Sequence, residues 1–244
     1  MRYLNYIFSF VLGAILISCN KSSPDCFKKA GIDSSIERVI TPFKVVQLDA
    51  NIEVTLIKGT EYKVQIFGGE NLLEKVTTSV ESGTLIIDNN NACNFVRGYD
   101  HKLKVTVTAP EYDKVITNSV GSIITNTDFT QDTMFFSSEG GDMIINGNYS
   151  ELKTSSHGNG NVYFKGTTAT MYSYMNGTNY LYGDEGTITN YIFIESLSLA
   201  DAYIAAPTNG TFEYHLWKTG NIYYKGDPAS VNGKAEKGGI VIKK

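Results

Sequence analysis

The chain is predicted to be all-β: a parallel β-helix-like solenoid with repeats of about twenty residues, preceded by a strand-rich amino-terminal part. Three observations carry the prediction. Tyr, Thr, Val, Ile, Gly and Asn are abundant while only 5 of 244 residues are Pro, which favours strands and turns over helices. Two heptapeptides sixty residues apart, GNVYFKG at 160–166 and GNIYYKG at 220–226, are nearly identical. Around them a small or polar residue followed by a short strand recurs at near-constant spacing, the signature of a stacked repeat.

Residues 1–18, MRYLNYIFSFVLGAILIS, carry one basic residue, Arg2, and an apolar run from Ile7 to Ile17. They read as a secretory signal peptide, too short to span a bilayer. The sequence LISC resembles the lipobox of bacterial lipoproteins, which makes Cys19 the acylated first residue of a mature chain. The alternative is an ordinary signal peptide with a coincidental cysteine. Residues 19–36 then form a polar tether, and the expected membrane contact is made by the amino-terminal acyl chains, at about 0.8 kcal/mol per buried methylene. Cys26 and Cys93 are the remaining cysteines. In an oxidising envelope they read as a disulfide, on the order of 4 kcal/mol for closing so long a loop. A metal site is the alternative, but no further His or Cys stands at a ligand-like spacing.

Residues 37–243 read as a single solenoid-like domain. Within it, 37–112 form a strand-rich cap or the first rungs, and 113–243 the regular repeats. NIEVTLIKG and YKVQIFGG alternate apolar and polar residues, as half-buried strands do. GENLLEKV is long enough for one helical turn, and GTLIIDNN and KLKVTVTAP are further strands.

The repeats align on the position held by Asn in GNVYFKG: Ser122, Asp142, Asn161, Asn179, Asp201, Asn221 and Gly239, at spacings of 20, 19, 18, 22, 20 and 18 residues. Seven to nine residues upstream of each lies another short strand (VIT, MFF, LKT, MYS, IFI, FEY), which leaves no room for a helix. One such unit cannot bury its own apolar face, so successive copies must stack. The residues one and three places after each anchor are mostly apolar and form the core face. The residue between them then points outward, giving an apolar stripe that includes Tyr163, Leu181, Tyr203 and Tyr223. Such a stripe is either ladder packing or a binding face.

Chemistry is sparse. Net charge is −4 with no basic block, so nucleic acid is not an expected partner. There is no P-loop, G-x-S-x-G, H-E-x-x-H or EF-hand loop. No cofactor and no metal site is expected. The anchor Asx residues suit turns and stacked side-chain ladders, and Asp142 and Asp201, three rungs or about 14 Å apart, exceed the roughly 5–9.5 Å of a glycosidase carboxylate pair. Glu195 and His215 fall on successive rungs in the column six before the anchor, with Phe136, Ser155 and Ser173. They form either a weak acid–base candidate pair or an exposed ion pair of small value.

The stretches FKVVQLDANIEVTLIKGTEYKVQIFGGENLLEKV, GTLIIDNNNACNFVRG and LKVTVTAPEYDKVITNSVGSI, with the repeats that end in GNIYYKGDP, resemble the putative auto-transporter adhesin, head GIN domain family, common as lipoproteins in Bacteroidota. The resemblance covers roughly 37–242. It implies an exported β-helix-like protein, favours the outer membrane, and brings no catalytic residues. The expected function is a non-enzymatic cell-envelope lipoprotein, adhesin-like, binding glycan or protein through a long solenoid face. An envelope polysaccharide-active enzyme and a ligand-free scaffold, homo-oligomerising through the stripe, are the alternatives. Cys19→Ala is expected to move the protein out of the membrane fraction and abolish acyl labelling; unchanged fractionation would refute the anchor.

Overall fold

The computed structural model describes residues 29–91 and 103–244. The leader, the candidate lipidation residue Cys19 and both disulfide candidates, Cys26 and Cys93, lie outside the described residues.

The amino-terminal part contains β1 (Asp33–Val39), β2 (Val45–Leu48), β3 (Glu53–Lys58), β4 (Lys63–Gly69), the single-turn helix α1 (Glu70–Leu73), β5 (Val76–Glu81), β6 (Thr84–Asn89) and β7 (Lys104–Ala109). The repeats follow as alternating long and short strands. The long ones are β8 (Lys114–Thr117), β10 (Thr130–Ser138), β12 (Asn148–Gly158), β14 (Thr167–Gly177), β16 (Thr187–Ser198), β18 (Thr211–Leu216) and β20 (Ser230–Ala235). The short ones are β9 (Ile123–Thr125), β11 (Met143–Ile145), β13 (Val162–Phe164), β15 (Leu181–Gly183), β17 (Ala202–Ala205), β19 (Ile222–Lys225) and β21 (Val241–Lys243). Among the described residues no helix is long and apolar enough to cross a membrane.

Two sheets enclose one core. The short-strand sheet runs β1-β4-β7-β3-β9-β11-β13-β15-β17-β19-β21, and the long-strand sheet β20-β18-β16-β14-β12-β10-β8-β2-β6-β5. All neighbours from β7 to β21 and from β20 to β6 pair in parallel, so the chain winds as a β-solenoid. Only β1, β4 and β5 pair antiparallel, at the amino-terminal end. The rungs there are out of chain order: β2 lies between β6 and β8, and β3 between β7 and β9. The chain therefore lays down one rung, turns back to build the rung beneath it, and passes over the first to continue upward.

Alternation sorts each strand into core and surface. Short strands read buried, half-buried, buried, as at Val162, Tyr163 and Phe164. Long strands bend. In β12, Tyr149 and Leu152 are both buried although three residues apart, so the inward phase shifts between them. In β16 the bend accommodates one extra residue, as the register against β14 slips after Thr168. Polar side chains facing inward serve the turn that follows: the Ser138 hydroxyl accepts from Gly140 N (3.2 Å) and donates to Gly141 O, and Ser198 Oγ donates to Asn179 O at 2.8 Å.

That turn explains the repeated glycine. A Cβ on Gly141 would stand 1.8 Å from Gly121 O, one on Gly160 2.2 Å from Gly141 O, and one on Gly220 2.2 Å from Ala200 O. On these rungs the carbonyl of the preceding rung occupies the place where a side chain would begin.

Two rungs depart from the alignment made on sequence. Val162 pairs with Leu181 and Tyr163 with Tyr182, so the anchor of that rung is Tyr180 and not Asn179. Asn179 takes the glycine column instead, fully buried, with Nδ2 donating to Ser156 O and Asn176 O. Likewise Ile222 pairs with Val241, which makes Ile240 and not Gly239 the last anchor. Leu181, expected on the outward stripe, is therefore in the core at 0% exposure, while Tyr180 (37%) and Ile240 (55%), expected inside, are on the surface. A one-residue slip exchanges the two faces of a strand. The register found buries Leu181 and keeps the hydroxyls of Tyr180 and Tyr182 in water, which avoids the cost of unpaired buried phenols.

Neighbouring glycines should respond oppositely to alanine. Gly141→Ala forces backbone apart and is expected to lose about 2–3 kcal/mol. Gly140, whose Cβ would find nothing nearer than 3.6 Å, should tolerate Ala within about 0.5 kcal/mol. Urea denaturation of the two variants checks this, and equal losses would contradict it.

Candidate functional site

The outward side of the short-strand sheet carries an aligned column of tyrosines. Parallel pairing places Tyr163, Tyr182, Tyr203 and Tyr223 side by side, with Ile144 before them and Ile242 after. Successive rings stack, with centroids 5.0, 5.7 and 5.2 Å apart and interplanar angles of 14°, 2° and 12°. Tyr180 adds a fifth ring, stacked on Tyr182 at 5.6 Å. At the carboxy-terminal end the Lys244 ammonium lies over Tyr223, 4.2 Å from its centroid, and 5.0 Å from that of Tyr203, a cation–π cap on the ladder. Each inner ring turns its faces toward its neighbours, so the ladder offers outer ring edges and a row of phenolic hydroxyls.

A second ladder supports the first. Asp142 Oδ1 accepts the backbone N–H of Asn161 (2.8 Å), and Asn161 Oδ1 that of Tyr180 (2.9 Å). After the break at Tyr180, Asp201 Oδ1 accepts from Asn221 N (2.8 Å) and Asn221 Oδ1 from Ile240 N (3.1 Å). An Asx side chain at the anchor thus satisfies the turn amide of the next rung. It also holds the start of the following short strand, and with it the tyrosine, in place. These residues are structural, and the acidic ones colour the ladder electrostatically. Burial and then the neighbouring Tyr163 push the Tyr182 phenol up from its ordinary value; burial and then the Asp201 carboxylate do the same to Tyr203.

The long-strand sheet presents a different surface. One outward column runs Lys114, Phe135, Lys153, Tyr172, Phe193, Glu213, and the next Ser137, Ser155, Tyr174, Glu195, His215, Lys234. An open groove of about 390 Å³ lies across them, floored at Ser155 and walled by Phe135, Lys153, Tyr172, Tyr174, Phe193 and Glu195.

Glu195 and His215 are register partners on adjacent rungs, as the spacing indicated. Their column mates differ, because Ser173 pairs with Ile194 and faces the core while Tyr174 stands beside Glu195; Phe136 is also buried. Each of the two is bonded elsewhere. Glu195 Oε1 accepts from Trp217 Nε1 at 3.0 Å, and His215 Nε2 lies 3.3 Å from Glu236 Oε1 with its ring stacked on Trp217 at 4.0 Å. Among the described residues no group of three His, Cys, Asp or Glu side chains is placed to hold a metal ion.

Of the outward residues read from the sequence, Tyr163, Tyr203 and Tyr223 share the ladder, and Leu181 is replaced by Tyr182. Tyr182, Tyr180 and Lys244 were missed. For the two tyrosines the signal was the pattern NYLY, whose middle Leu is the better core residue; for Lys244 there was none. The groove residues sit on strands whose register needs the bend in β12, which no motif announces.

Comparison with known proteins places these features. The family model described as putative auto-transporter adhesin, head GIN domain, matches residues 42–228. Among solved structures, a putative adhesin from Bacteroides fragilis superposes with a TM-score of 0.69 at 18% identity, over 87% of this chain and 97% of that one. A putative lipid binding protein from Parabacteroides distasonis gives 0.61 at 16% identity (88% and 97%), and a putative adhesin from Parabacteroides merdae 0.57 at 19% (88% and 98%). At these identities the likeness is one of fold. No curated protein matches the chain.

The ladder tyrosines have a definite pH response. A phenol held above its ordinary pKa of about 10 in the folded state contributes stability that is whole below that pH and is lost as pH rises through the folded value. Phenolate absorbance on alkaline titration should therefore show Tyr203 lagging. Asp201→Asn removes the charge but keeps the oxygen that Asn221 N needs. It should bring that ionisation down while leaving the melting temperature at pH 7 unchanged. An unaltered titration would refute the assignment.

Proposed function

The chain belongs to the putative auto-transporter adhesin, head GIN domain family, and from that premise we propose that it is a non-enzymatic, lipid-anchored adhesin of the outer membrane that engages a glycan or protein along its tyrosine ladder. The observation that carries the reading is the ladder itself. Stacking of like residues stabilises a solenoid whether the residues are Ile, Val or Thr, and earlier rungs of the same column do use Ile124, Ile144 and Thr55. Four tyrosines in succession, each with its hydroxyl outward, exceed what packing requires. Tyr combines an apolar body with a polar tip at low conformational-entropy cost, which is why recognition surfaces favour it. Ring edges carry the positive side of the aromatic quadrupole and the hydroxyls donate, so the ladder suits an extended partner rich in oxygen acceptors. The Asx ladder and the Lys244 cap hold that surface rigid before binding, which lowers the ordering cost of association.

The double substitution Tyr203→Ser, Tyr223→Ser tests this. Glycan-array and matrix-protein binding, together with light scattering for self-association, should fall by roughly tenfold or more. The melting temperature should drop by only a few degrees, on the order of 1 kcal/mol per lost stacked pair. A large fall in melting temperature with binding and oligomer size unchanged would mean that the ladder is packing alone.

A further inference from the structure

We propose that the groove on the long-strand sheet is a second binding site, independent of the tyrosine ladder, and that it takes a neutral pyranose segment of a glycan chain. The two outward surfaces differ in what they do with their aromatic rings. On the ladder every inner ring is stacked between neighbours. Around the groove no two rings stack: Tyr172 meets Tyr191 at 53° and Tyr174 meets His157 at 42°, and among the described residues no ring lies against Phe193. Tyr172, at 37% exposure, is the most open of them. Lysine ammonium groups cover one face of Phe135 (Lys114, 4.9 Å) and one of Tyr172 (Lys153, 5.6 Å), and the faces left are not taken by other rings, as they are on the ladder.

The groove exists because two small residues, Ser137 and Ser155, precede the larger Tyr174 and Glu195 in their column. The neighbouring Thr154 and Ser173 turn inward, where Thr154 Oγ1 donates to Ser173 Oγ at 3.0 Å, so the floor is Ser155 and strand backbone. A volume of about 390 Å³ falls in the ordinary range for small-ligand sites. Its long direction crosses the rungs from Phe135 to Phe193, three strand spacings or about 14 Å, enough for a short run of linked sugar rings.

Polar groups stand beside the rings. Ser155 Oγ shares a hydrogen bond with His157 Nε2 at 3.1 Å. Lys153 is paired with Glu151 at 2.7 Å while its ammonium lies 5.6 Å from the Tyr172 centroid. Glu195 gives one oxygen to Trp217 Nε1, and its second accepts from no side chain among the described residues. The walls and their direct partners thus hold two ammonium groups, Lys114 and Lys153, and two carboxylates, Glu151 and Glu195, with no net charge. A charged polymer gains nothing there, and an apolar partner would strip water from Lys153, Ser155 and Glu195 without replacing its hydrogen bonds. A neutral sugar ring meets both demands: its C–H face lies on an aromatic face, and its hydroxyls both donate and accept.

The chain supplies its own reporter. Trp217 is the single tryptophan, and its indole N–H is bonded to the groove carboxylate, so occupancy of Glu195 should alter its emission. The experiment titrates the full chain with cello-, laminari-, xylo- and mannohexaose and with an oligogalacturonate of equal length, reading Trp217 fluorescence and calorimetric heat. At least one neutral hexaose should bind saturably and the oligogalacturonate should not. Tyr172→Ala should weaken binding roughly tenfold, with melting followed to show that the fold is kept. Glu195→Gln should weaken it through the lost acceptor charge. Tyr172→Ala leaves every ladder tyrosine in place, so a loss of hexaose binding in that variant assigns the binding to the groove and not to the ladder. The proposal is overturned if no neutral hexaose binds, if the acidic oligomer binds better, or if Tyr172→Ala and Glu195→Gln both leave affinity intact.

Discussion

The structure depends on how closely one rung can lie on the next at the turn leading into each short strand. A backbone carbonyl there fills the place of a side chain, as Gly121 O does under Gly141 and Gly141 O under Gly160. Parallel strands lie about 4.8 Å apart, and at Gly141, Gly160 and Gly220 a methyl group would press into the carbonyl of the preceding rung. Glycine fills this position on most rungs, and Asn179 and Ala200 fill it on two. The residue that follows is Asp or Asn on four rungs, because its side-chain oxygen reaches the turn amide of the next rung. The repeated Gly-Asx dipeptide is therefore a stacking device, and the resemblance to catalytic or metal-binding carboxylates is incidental.

Stacking at that spacing turns any outward position into a column, and a column multiplies whatever chemistry a single residue has. Four rungs of Tyr become one continuous aromatic surface with a row of hydroxyls, closed by Lys244. On the other sheet the columns are mixed, so rings, serines and charges interrupt one another and leave a recess in place of a ridge. One backbone plan thus yields two unlike surfaces, distinguished only by how uniform each column is. The Glu195–His215 adjacency is a product of the same columns, and each side chain takes its own partner, Trp217 for Glu195 and Glu236 for His215.

The amino-terminal part uses the same stacking with a different route. β6 and β7 lie beneath β2 and β3, which precede them in the chain, and β8 crosses the first rung to reach its place. The antiparallel β1, β4 and β5 then close that end, covering edges that would otherwise be open for pairing with another chain. The family match begins at residue 42, past β1, and covers the rest of this part and most of the repeats, so the out-of-order start lies within the family's own span.

The sequence by itself determined the class of fold, the rung length, the alternation that sorts core from surface, and three of the four stacked ladder tyrosines, because each follows from a local period. It also foretold the structural use of the anchor Asx residues, since short polar side chains beside glycine have few other roles in a repeat. It misplaced Leu181 and Ile240 because an isolated strand of three residues reads equally well in two registers. Only the neighbouring rungs, by burying Leu181 and exposing the Tyr180 and Tyr182 hydroxyls, decide between them. The order of the first rungs, the bend in β12, the groove and the Lys244 cap were likewise beyond the sequence. Each joins residues remote along the chain or depends on a change of direction that no local pattern records, and the free energy that selects them belongs to the stacked assembly.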